Sequence, residues 1–462
     1  MVAELTSRAP ALRARVAAAS ARVGPLELVA ALGAVLAALA GTIGADARWL
    51  SALGEIIVRR GSIPVGIPWA SASSSGWHNV PVLAELIFRG LTSAAGSRGL
   101  LAAQIVAVGA AFAILAWDLR RSGAGELEGS LALLLAAIGS LPVLLVVRSQ
   151  LFSVLLFPVL IALLRAEARA PSRRIWLLVP LVALWSNLHG AVLVGLAVAA
   201  AYLLFDRARS QPLVAGAVLA ASAAAVCITP ALVHTPEYYY GLLRNEAARR
   251  GEGLWAPLSL TSGFDLLLIA TAVVLVGLAL WARPALWELV VLAGLAVLTV
   301  KTARSGAWLL FFAAAPAARK LRFDPSRDDR RGSVFVLAVA FALVVLGVVR
   351  GPLPSGAGKS LLADALGRAG GTPILADGVP AEQVAAAGGR VWMSNPIDAF
   401  SSHNQRVYLD WLAGRPLGDA ALGHARVVLV MRGAAPAKRL RHSSAFRQAA
   451  HDAKAAVFVR RR

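Results

Sequence analysis

The feature that most constrains this sequence is a series of apolar runs close to 20 residues long, the length that spans the hydrocarbon core of a bilayer. The 462-residue chain is 58% hydrophobic and 15% charged, whereas a soluble domain has roughly 25% charged residues. We therefore predict an all-α polytopic membrane bundle of about 11 transmembrane helices, at about residues 26–45, 98–117, 129–147, 150–165, 175–188, 190–205, 212–230, 264–282, 285–300, 304–319 and 333–350.

The C-terminal stretch, residues 351–462, has a different composition. Its short apolar runs are typical of strands that alternate with helices, and we place strands at Pro373–Ala376, Arg390–Ser394, Arg426–Met431 and Ala455–Val459. The predicted layout is a basic cytoplasmic N-terminus at residues 1–25, a transmembrane domain at 26–350 and a small α/β domain at 351–462.

The distribution of Lys and Arg predicts the orientation of the bundle. Short segments that include Arg165, Arg207 and Arg319 are richer in positive charge than the longer segments on the other side, which predicts a cytoplasmic N-terminus. An odd number of spans then puts residues 351–462 outside a cytoplasmic (inner) membrane. The net charge of +21 is explained by this topology, because the basic residues form no stripe with interleaved aromatics that would indicate nucleic acid.

In this orientation, unusual polar residues from different segments fall at or just beyond the outer ends of the spans. They are Asp46, His78, Arg148, Gln150, Asn187, His189, Glu252, Lys301 and Arg304. Ionisable groups at membrane depth are costly, so such a cluster predicts a functional site. Two long outer segments support this: the first long loop, residues 46–97, and the second long loop, residues 231–262.

Asp46 is the sharpest candidate, because it ends the first span immediately before the amphipathic stretch Trp49–Ile57. That stretch predicts a helix in the interface plane. A partly desolvated carboxylate at this position can act as a general base towards an acceptor hydroxyl. The other interpretation is a helix N-cap, in which the Asp46 side chain accepts from free backbone N–H groups.

Three basic residues are candidate phosphate ligands. Arg148, Lys301 and Arg304 lie on the side that the positive-inside rule leaves poor in positive charge. A guanidinium binds phosphate oxygens through a bidentate fork. The alternative is that these side chains extend along the lipid to the interface without binding any ligand. Gln150 follows Arg148 closely and is a further candidate for substrate contact.

The segment Trp185–Gly190 interrupts an apolar run, and its Asn187 and His189 are candidates for lining the site or for structural hydrogen bonds. No metal-ligand spacing occurs, so we predict no metal ligands, and a divalent cation stays possible without support. In particular, nothing in the sequence gathers His78, His189 and His234 around zinc. The stretch Ser355–Ser360 looks like the end of a P-loop but has Leu353 where the first Gly belongs, which predicts a linker.

At these residues the chain resembles the GT-C superfamily of polytopic glycosyltransferases, including the dolichyl-phosphate-mannose-protein mannosyltransferase-like and RgtA/B/C/D-like branches. The likeness covers roughly residues 26–350. It rests on the first long loop headed by Asp46, the amphipathic helix followed by Gly61-Ser62-Ile63-Pro64, and the odd number of spans. The segments 148–153 and 185–190 are similar to those of bacterial membrane proteins with this architecture.

The resemblance implies a lipid-linked sugar donor, a polyprenyl phosphate, and inverting transfer to a glycan, lipid or protein acceptor at the outer face. It implies that Asp46 is the base and that Arg148, Lys301 or Arg304 binds the lipid phosphate. Many members have paired acids in the first loop, whereas Ala47 and Arg48 follow Asp46 here. This departure counts against a metal-assisted variant.

Two other functions suit the same architecture: a transporter or lipid flippase, and a non-catalytic membrane assembly protein. A transporter needs charged or broken positions deep within its spans and often has two similar halves. The sequence has no clear internal repeat, and its polar groups lie at one face. These observations favour the glycosyltransferase.

Overall fold

The computed structural model describes residues 24–321 and 331–461, so most of the predicted cytoplasmic N-terminus and the basic loop at 322–330 lie outside the described residues. Helices dominate the part up to residue 350: α1 (Pro25–Ala40), α2 (Ala45–Arg60), α3 (Val82–Arg121), α4 (Glu126–Gly139), α5 (Leu141–Leu145), α6 (Gln150–Arg169), α7 (Leu178–Ser186), α8 (Val192–Phe205), α9 (Pro212–Ala225), α10 (Thr235–Arg244), α11 (Glu246–Arg250), α12 (Gly263–Trp281), α13 (Leu286–Lys301), α14 (Gly306–Ala318) and α15 (Arg331–Arg350). Short 3₁₀ turns connect several of them, at Arg173–Leu177, Arg207–Arg209, Leu232–His234, Gly253–Trp255 and Ala303–Ser305.

The helical prediction is confirmed, because every predicted span coincides with a helix. Within the described residues, α3, α6 and α12 are long and apolar enough to cross a membrane, while α1, α9 and residues 335–350 are apolar but shorter. The number of 11 spans therefore stays a prediction. Helix α3 has 40 residues and is broken at Ala95 and Gly96, which have non-helical backbone angles. The part of α3 before this break lies in the first long loop.

The amphipathic stretch forms helix α2, as the sequence predicts. Trp49, Leu50 and Leu53 face the protein interior, because residues three and four apart share one side of a helix. The helix ends at Gly61, whose φ of 66° is a left-handed conformation that glycine adopts without strain. Gly54 allows close packing on α3, since a Cβ there would lie 2.2 Å from the carbonyl oxygen of Glu85.

Two predicted spans end in extended chain instead of helix, which corrects the boundaries at 26–45 and 129–147. Strand β1 (Thr42–Ile43) pairs in parallel with β2 (Val146–Val147). Parallel strands end at the same edge of a ladder. The chain segments that follow them, which contain Asp46 and Arg148, are therefore brought side by side. The amide of Leu353 also donates to the carbonyl oxygen of Gly41 (2.8 Å) and ties the end of α15 to this point.

The C-terminal region, residues 351–461, is the expected α/β structure. It contains α16 (Lys359–Ala369), α17 (Gly378–Ala386), α18 (Ser402–Leu412) and α19 (Ala435–Arg441), short 3₁₀ segments at Ile397–Ala399 and Pro416–His424, and the strands β3 (Ile374–Ala376), β4 (Val427–Met431), β5 (Phe446–His451) and β6 (Ala455–Arg460). The sheet has the order β3-β4-β6-β5, with only the β3–β4 pair parallel.

The predicted strand Arg390–Ser394 is wrong. Val391 makes only isolated bridges, to Ile374 and to Ala70. Strand β5 was not predicted, because half of its six residues are polar and half are exposed, while its apolar partner β6 is largely buried. The strands were predicted from short apolar runs, which mark buried strands, and β5 contains no such run.

The C-terminal region packs against the first long loop and α2. Arg48 Nη2 donates to Ser355 Oγ (3.1 Å), which in turn donates to the carbonyl oxygen of Ile43 (2.8 Å). Trp69 Nε1 donates to Ser394 Oγ (3.0 Å). These contacts join residues about 300 positions apart in sequence. The boundary of a separate domain at residue 351 stays a prediction.

Several arginines assigned to cytoplasmic loops are buried in ion pairs. Arg165 Nη1 lies 2.5 Å from Asp118 Oδ2, and its Nε lies 3.4 Å from Glu288 Oε1, which also pairs with Arg319. Arg207 is likewise buried. Arg165 lies about 22 Å along α6 from that helix's first residue, so this cluster and the polar groups around the start of α6 lie towards opposite ends of the bundle.

Candidate active site

A cavity of about 240 Å³ lies between one end of the bundle, the two long loops and the C-terminal region. Four elements border this cavity: the start of α2, the start of α6, the turn between α7 and α8, and the 3₁₀ turn before α14. Polar and aromatic side chains from these elements line it, including Asp46, Gln150, His189, Tyr238, Trp255, Arg304, Asn395 and Asp398. The ends of distant segments therefore meet at one cavity, and both Asp46 and Arg304 line it.

Asp46 lies in the first turn of α2, and Gly44 is the N-cap residue of that helix. The N-cap interpretation of Asp46 is therefore wrong, although a carboxylate in the first turn still gains from the helix dipole. Asp46 Oδ2 lies 3.3 Å from Arg148 Nε, and the two side chains are 18% and 23% exposed. Gly44 permits this approach, since a Cβ there would lie only 3.0 Å from Arg148 Cγ.

Arg304 is held in the 3₁₀ turn between α13 and α14, with its guanidinium carbon 4.3 Å from the centre of the Trp255 ring. Burial lowers the pKa of Arg304 to about 10, an effect opposed by Asp46 and reinforced by Arg148. The side chain is thus still cationic at neutral pH. A partly desolvated cation of this kind binds an anionic ligand more strongly than a solvated one does.

His189 is fixed by a chain of hydrogen bonds. Trp185 Nε1 donates to Ser153 Oγ (2.7 Å), which lies 2.6 Å from His189 Nδ1. The amide of Ala191 also points at Nδ1 (3.3 Å), so this nitrogen is the acceptor and the ring proton is on Nε2. Burial and then the charges of Arg304 and Arg148 lower the pKa of His189 to about 3. His189 is therefore a neutral hydrogen-bond donor at the cavity.

Five predicted site residues do not line the cavity: Arg148, which lies beside Asp46, and four that lie elsewhere. Asn187 Nδ2 donates to the carbonyl oxygens of Ala183 (2.8 Å) and Ile228 (2.6 Å). Asn187 thus makes structural hydrogen bonds instead of lining the cavity. Lys301 is exposed at the end of α13, outside this cavity. Glu252 accepts from Arg415 Nη2 (2.6 Å) of the C-terminal region. His78 lines a neighbouring cavity and stacks on the ring of His234.

Sequence reasoning missed the contribution of the C-terminal region. Residues Asn395–Asp398 cover one side of the cavity and are called the roof loop below. Trp77 Nε1 donates to Asp398 Oδ2 (3.1 Å), and burial raises the pKa of Asp398 to about 6. Glu382 Oε1 accepts from both the amide (2.8 Å) and Nδ2 (3.1 Å) of Asn395. The turn-forming Asn395-Pro396 pair was the available signal, but nothing in the sequence linked it to this cavity.

The fold of the helical bundle and its C-terminal α/β region is GT-C-like. A similar solved structure is the cryo-EM structure of a mutant of the arabinofuranosyltransferase AftD from Mycobacteria. The identity is 15% and the TM-score 0.50, with 94% of this chain and 41% of the AftD chain covered. This chain thus spans less than half the length of AftD. No family model and no curated protein matches the sequence.

Proposed function

We propose that this protein is an integral-membrane glycosyltransferase that moves a sugar from a polyprenyl-phosphate donor to an acceptor hydroxyl at the outer membrane face, with inversion at the anomeric carbon. The observation that carries the proposal is the convergence of Asp46 and Arg304 at one cavity of a GT-C-like fold, with Arg148 Nε 3.3 Å from the Asp46 carboxylate. An acid and two cations suit a reaction in which a hydroxyl loses a proton and a phosphate leaves.

In the proposed reaction Asp46 is the general base. Its carboxylate takes the proton of the acceptor hydroxyl while that oxygen forms a bond to the anomeric carbon. The bond between the anomeric carbon and the phosphate oxygen breaks on the opposite side, and its electron pair leaves with the polyprenyl phosphate. Arg148 Nε, 3.3 Å from Asp46 Oδ2, orients the carboxylate.

Arg304 is the main candidate for binding the phosphate. Negative charge grows on the bridging oxygen as the bond breaks, and a preorganised cation next to that oxygen stabilises the transition state. The half-buried guanidinium is held against Trp255, 4.3 Å from the ring centre, so little reorganisation is needed. Arg148 adds a second positive charge beside the cavity, next to Asp46.

The remaining lining suits a sugar. His189 offers an Nε2 proton and Gln150 an amide, which together bind hydroxyl oxygens without bringing a charge. Tyr238 and Trp255 supply flat apolar surface of the kind that ligand sites combine with a few polar groups. The roof loop covers the cavity and limits the water that could compete with the acceptor.

The first experiment replaces Asp46 by Asn in protein reconstituted into nanodiscs and supplied with a panel of polyprenyl-phosphate sugars. We expect release of polyprenyl phosphate, followed by mass spectrometry, to fall by about 10²–10⁴-fold. Glu55→Gln is the matched control, since Glu55 lies on the same helix but pairs with Arg59 and Arg89 at the surface. Unchanged release by Asp46→Asn would remove the base from the mechanism.

A second experiment tests the phosphate site by the lipid that co-purifies with the protein. Arg304→Gln should lose bound polyprenyl phosphate, whereas Arg244→Gln should keep it. Arg244 is a matched control because it also stacks on an aromatic ring, that of Tyr240 (4.6 Å), but outside the cavity. Lipid bound equally by both variants contradicts the assignment of Arg304. Bound lipid without any sugar transfer in the wild type favours the flippase.

A further inference from the structure

A second group of potential ligands lies beside the candidate active site, where the two long loops meet. His78 from the first loop and His234 and Glu237 from the second each present one ligand atom, and these atoms lie within 4.8 Å of one another. The two imidazole rings stack with centres 4.0 Å apart, and His234 Nδ1 lies 3.5 Å from Glu237 Oε2. This arrangement is independent of the proposed sugar transfer.

The backbone positions of the three ligands are held in place. His78 follows Trp77, which is buried and donates to Asp398 Oδ2. His234 ends the 3₁₀ turn Leu232–His234 and caps α10, and Glu237 follows one turn later. The buried hydroxyl of Thr235 fixes the same turn through Thr229 (2.6 Å). The side chains therefore project from fixed points on two loops.

The donor set matches a specific metal chemistry. Two imidazole nitrogens and one carboxylate oxygen are a common set for Zn²⁺, which keeps its fourth position for water. Ligands of one tetrahedral zinc ion lie about 3.3 Å from each other, so the three ligand atoms must approach one another by up to about 1.5 Å and the stacked rings must tilt. The side chains of His234 and Glu237 are 51% and 71% exposed and are free to make this adjustment.

We propose that His78, His234 and Glu237 bind a Zn²⁺ ion that fastens the first long loop to the second at the edge of the cavity. His78 and Glu237 line a neighbouring cavity of about 360 Å³ that shares Tyr238 and Asp398 with the active-site cavity. An ion here restrains Trp77 and through it Asp398. Its role is to position the roof loop, and none of the bonds that change in sugar transfer involves it.

The proposal goes beyond the sequence-based prediction, which named no metal ligands. His78 and His234 are 156 positions apart, and no short motif connects them. Only the folding of both loops over the same end of the bundle brings them together. The His234–Glu237 spacing of three residues is compatible with two ligands on one helical turn, but it is too common to indicate a site alone.

The test uses full-length protein purified through an affinity tag without histidine, stripped with a chelator and titrated with Co²⁺, whose d–d bands report tetrahedral binding. We expect one equivalent to bind, to be displaced by Zn²⁺, and to raise the thermal unfolding midpoint. The double variant His78→Ala/His234→Ala should bind at least about 100-fold more weakly. The control His442→Ala/His451→Ala removes two exposed histidines of the C-terminal region and should bind as the wild type does.

Glu237→Gln provides a milder variant, because it keeps the size of the side chain and removes only the anionic ligand. It should fold normally and bind Co²⁺ with lower affinity than the wild type. The proposal is overturned if the wild type binds no Co²⁺ under these conditions, or if the His78→Ala/His234→Ala protein binds it with unchanged affinity. It is also overturned if both histidine pairs weaken binding equally, which would indicate dispersed surface binding.

Discussion

The protonation of Glu382 makes the stability of the C-terminal region depend on pH in an unusual direction. The Glu382 side chain is fully buried at the contact with α2 and accepts two hydrogen bonds from Asn395. Burial raises its pKa to about 8, with the charge of Asp46 adding to the rise and the Asn395 bonds and Arg48 opposing it. Glu382 is therefore protonated in the folded protein at neutral pH and ionised in the unfolded chain.

The sign follows from proton linkage. Between the unfolded value of 4.5 and the folded value of about 8, the folded state holds one proton more than the unfolded state, so stability falls as pH rises. The slope approaches about 1.4 kcal/mol per pH unit, which amounts to about 3 kcal/mol between pH 5 and pH 7.5. The full shift corresponds to about 5 kcal/mol.

Replacing Glu382 by Gln should remove this dependence, because the amide is neutral at every pH and its oxygen still accepts from Asn395. We expect the thermal unfolding midpoint of the variant in detergent to exceed that of the wild type at pH 7.5, with the difference shrinking towards pH 5. Asp364→Asn, at a partly exposed acid of the same region, serves as the control. A constant difference between variant and wild type at all pH values would refute the reasoning.

Three further expectations concern single residues near the cavity. Gly54→Ala should destabilise the protein by about 1–3 kcal/mol in thermal unfolding, because the new Cβ would lie 2.2 Å from the Glu85 carbonyl oxygen. Gly90→Ala is the control and should leave the stability unchanged, because Gly90 has open space around it. If ionised Asp398 binds the acceptor, activity should rise as the pH increases through about 6. Asp398→Asn should abolish this rise in the pH–rate profile. If the rise persists in the variant, another group is responsible for it. His189→Gln should retain more activity than His189→Ala, because the Gln amide can replace the Nε2 hydrogen-bond donor and the Ala side chain cannot. Equal losses in the two variants would contradict the role of His189 as a hydrogen-bond donor.

The sequence predicted those parts of the fold that depend on periodic burial. Each apolar run became a helix, and the helical spacing of Trp49, Leu50 and Leu53 predicted α2 correctly. The polar residues at the ends of these runs were also informative. Asp46 and Arg304 come from segments far apart in the chain, yet both line one cavity, because antiparallel helices of similar length bring alternate loops to the same end.

The parts that the sequence did not predict depend on contacts between distant segments. Two residues of parallel pairing, too short to leave a pattern, align Asp46 with Arg148. Arg165 looked like a loop charge because its partners Asp118 and Glu288 lie on other helices. Asp398 had no signal, since its position over the cavity arises only when the C-terminal region packs on α2.

The two sides of the cavity are made at different times during synthesis. All the bundle residues that line it, up to Trp308, are translated before the roof loop at residues 395–398. A growing chain can therefore assemble the bundle side of the cavity, with Asp46 and Arg304, well before anything covers it. The roof loop follows Trp308 by 87 residues. A product truncated before that point would expose Asp46 and Arg304 in a cavity that lacks one of its sides.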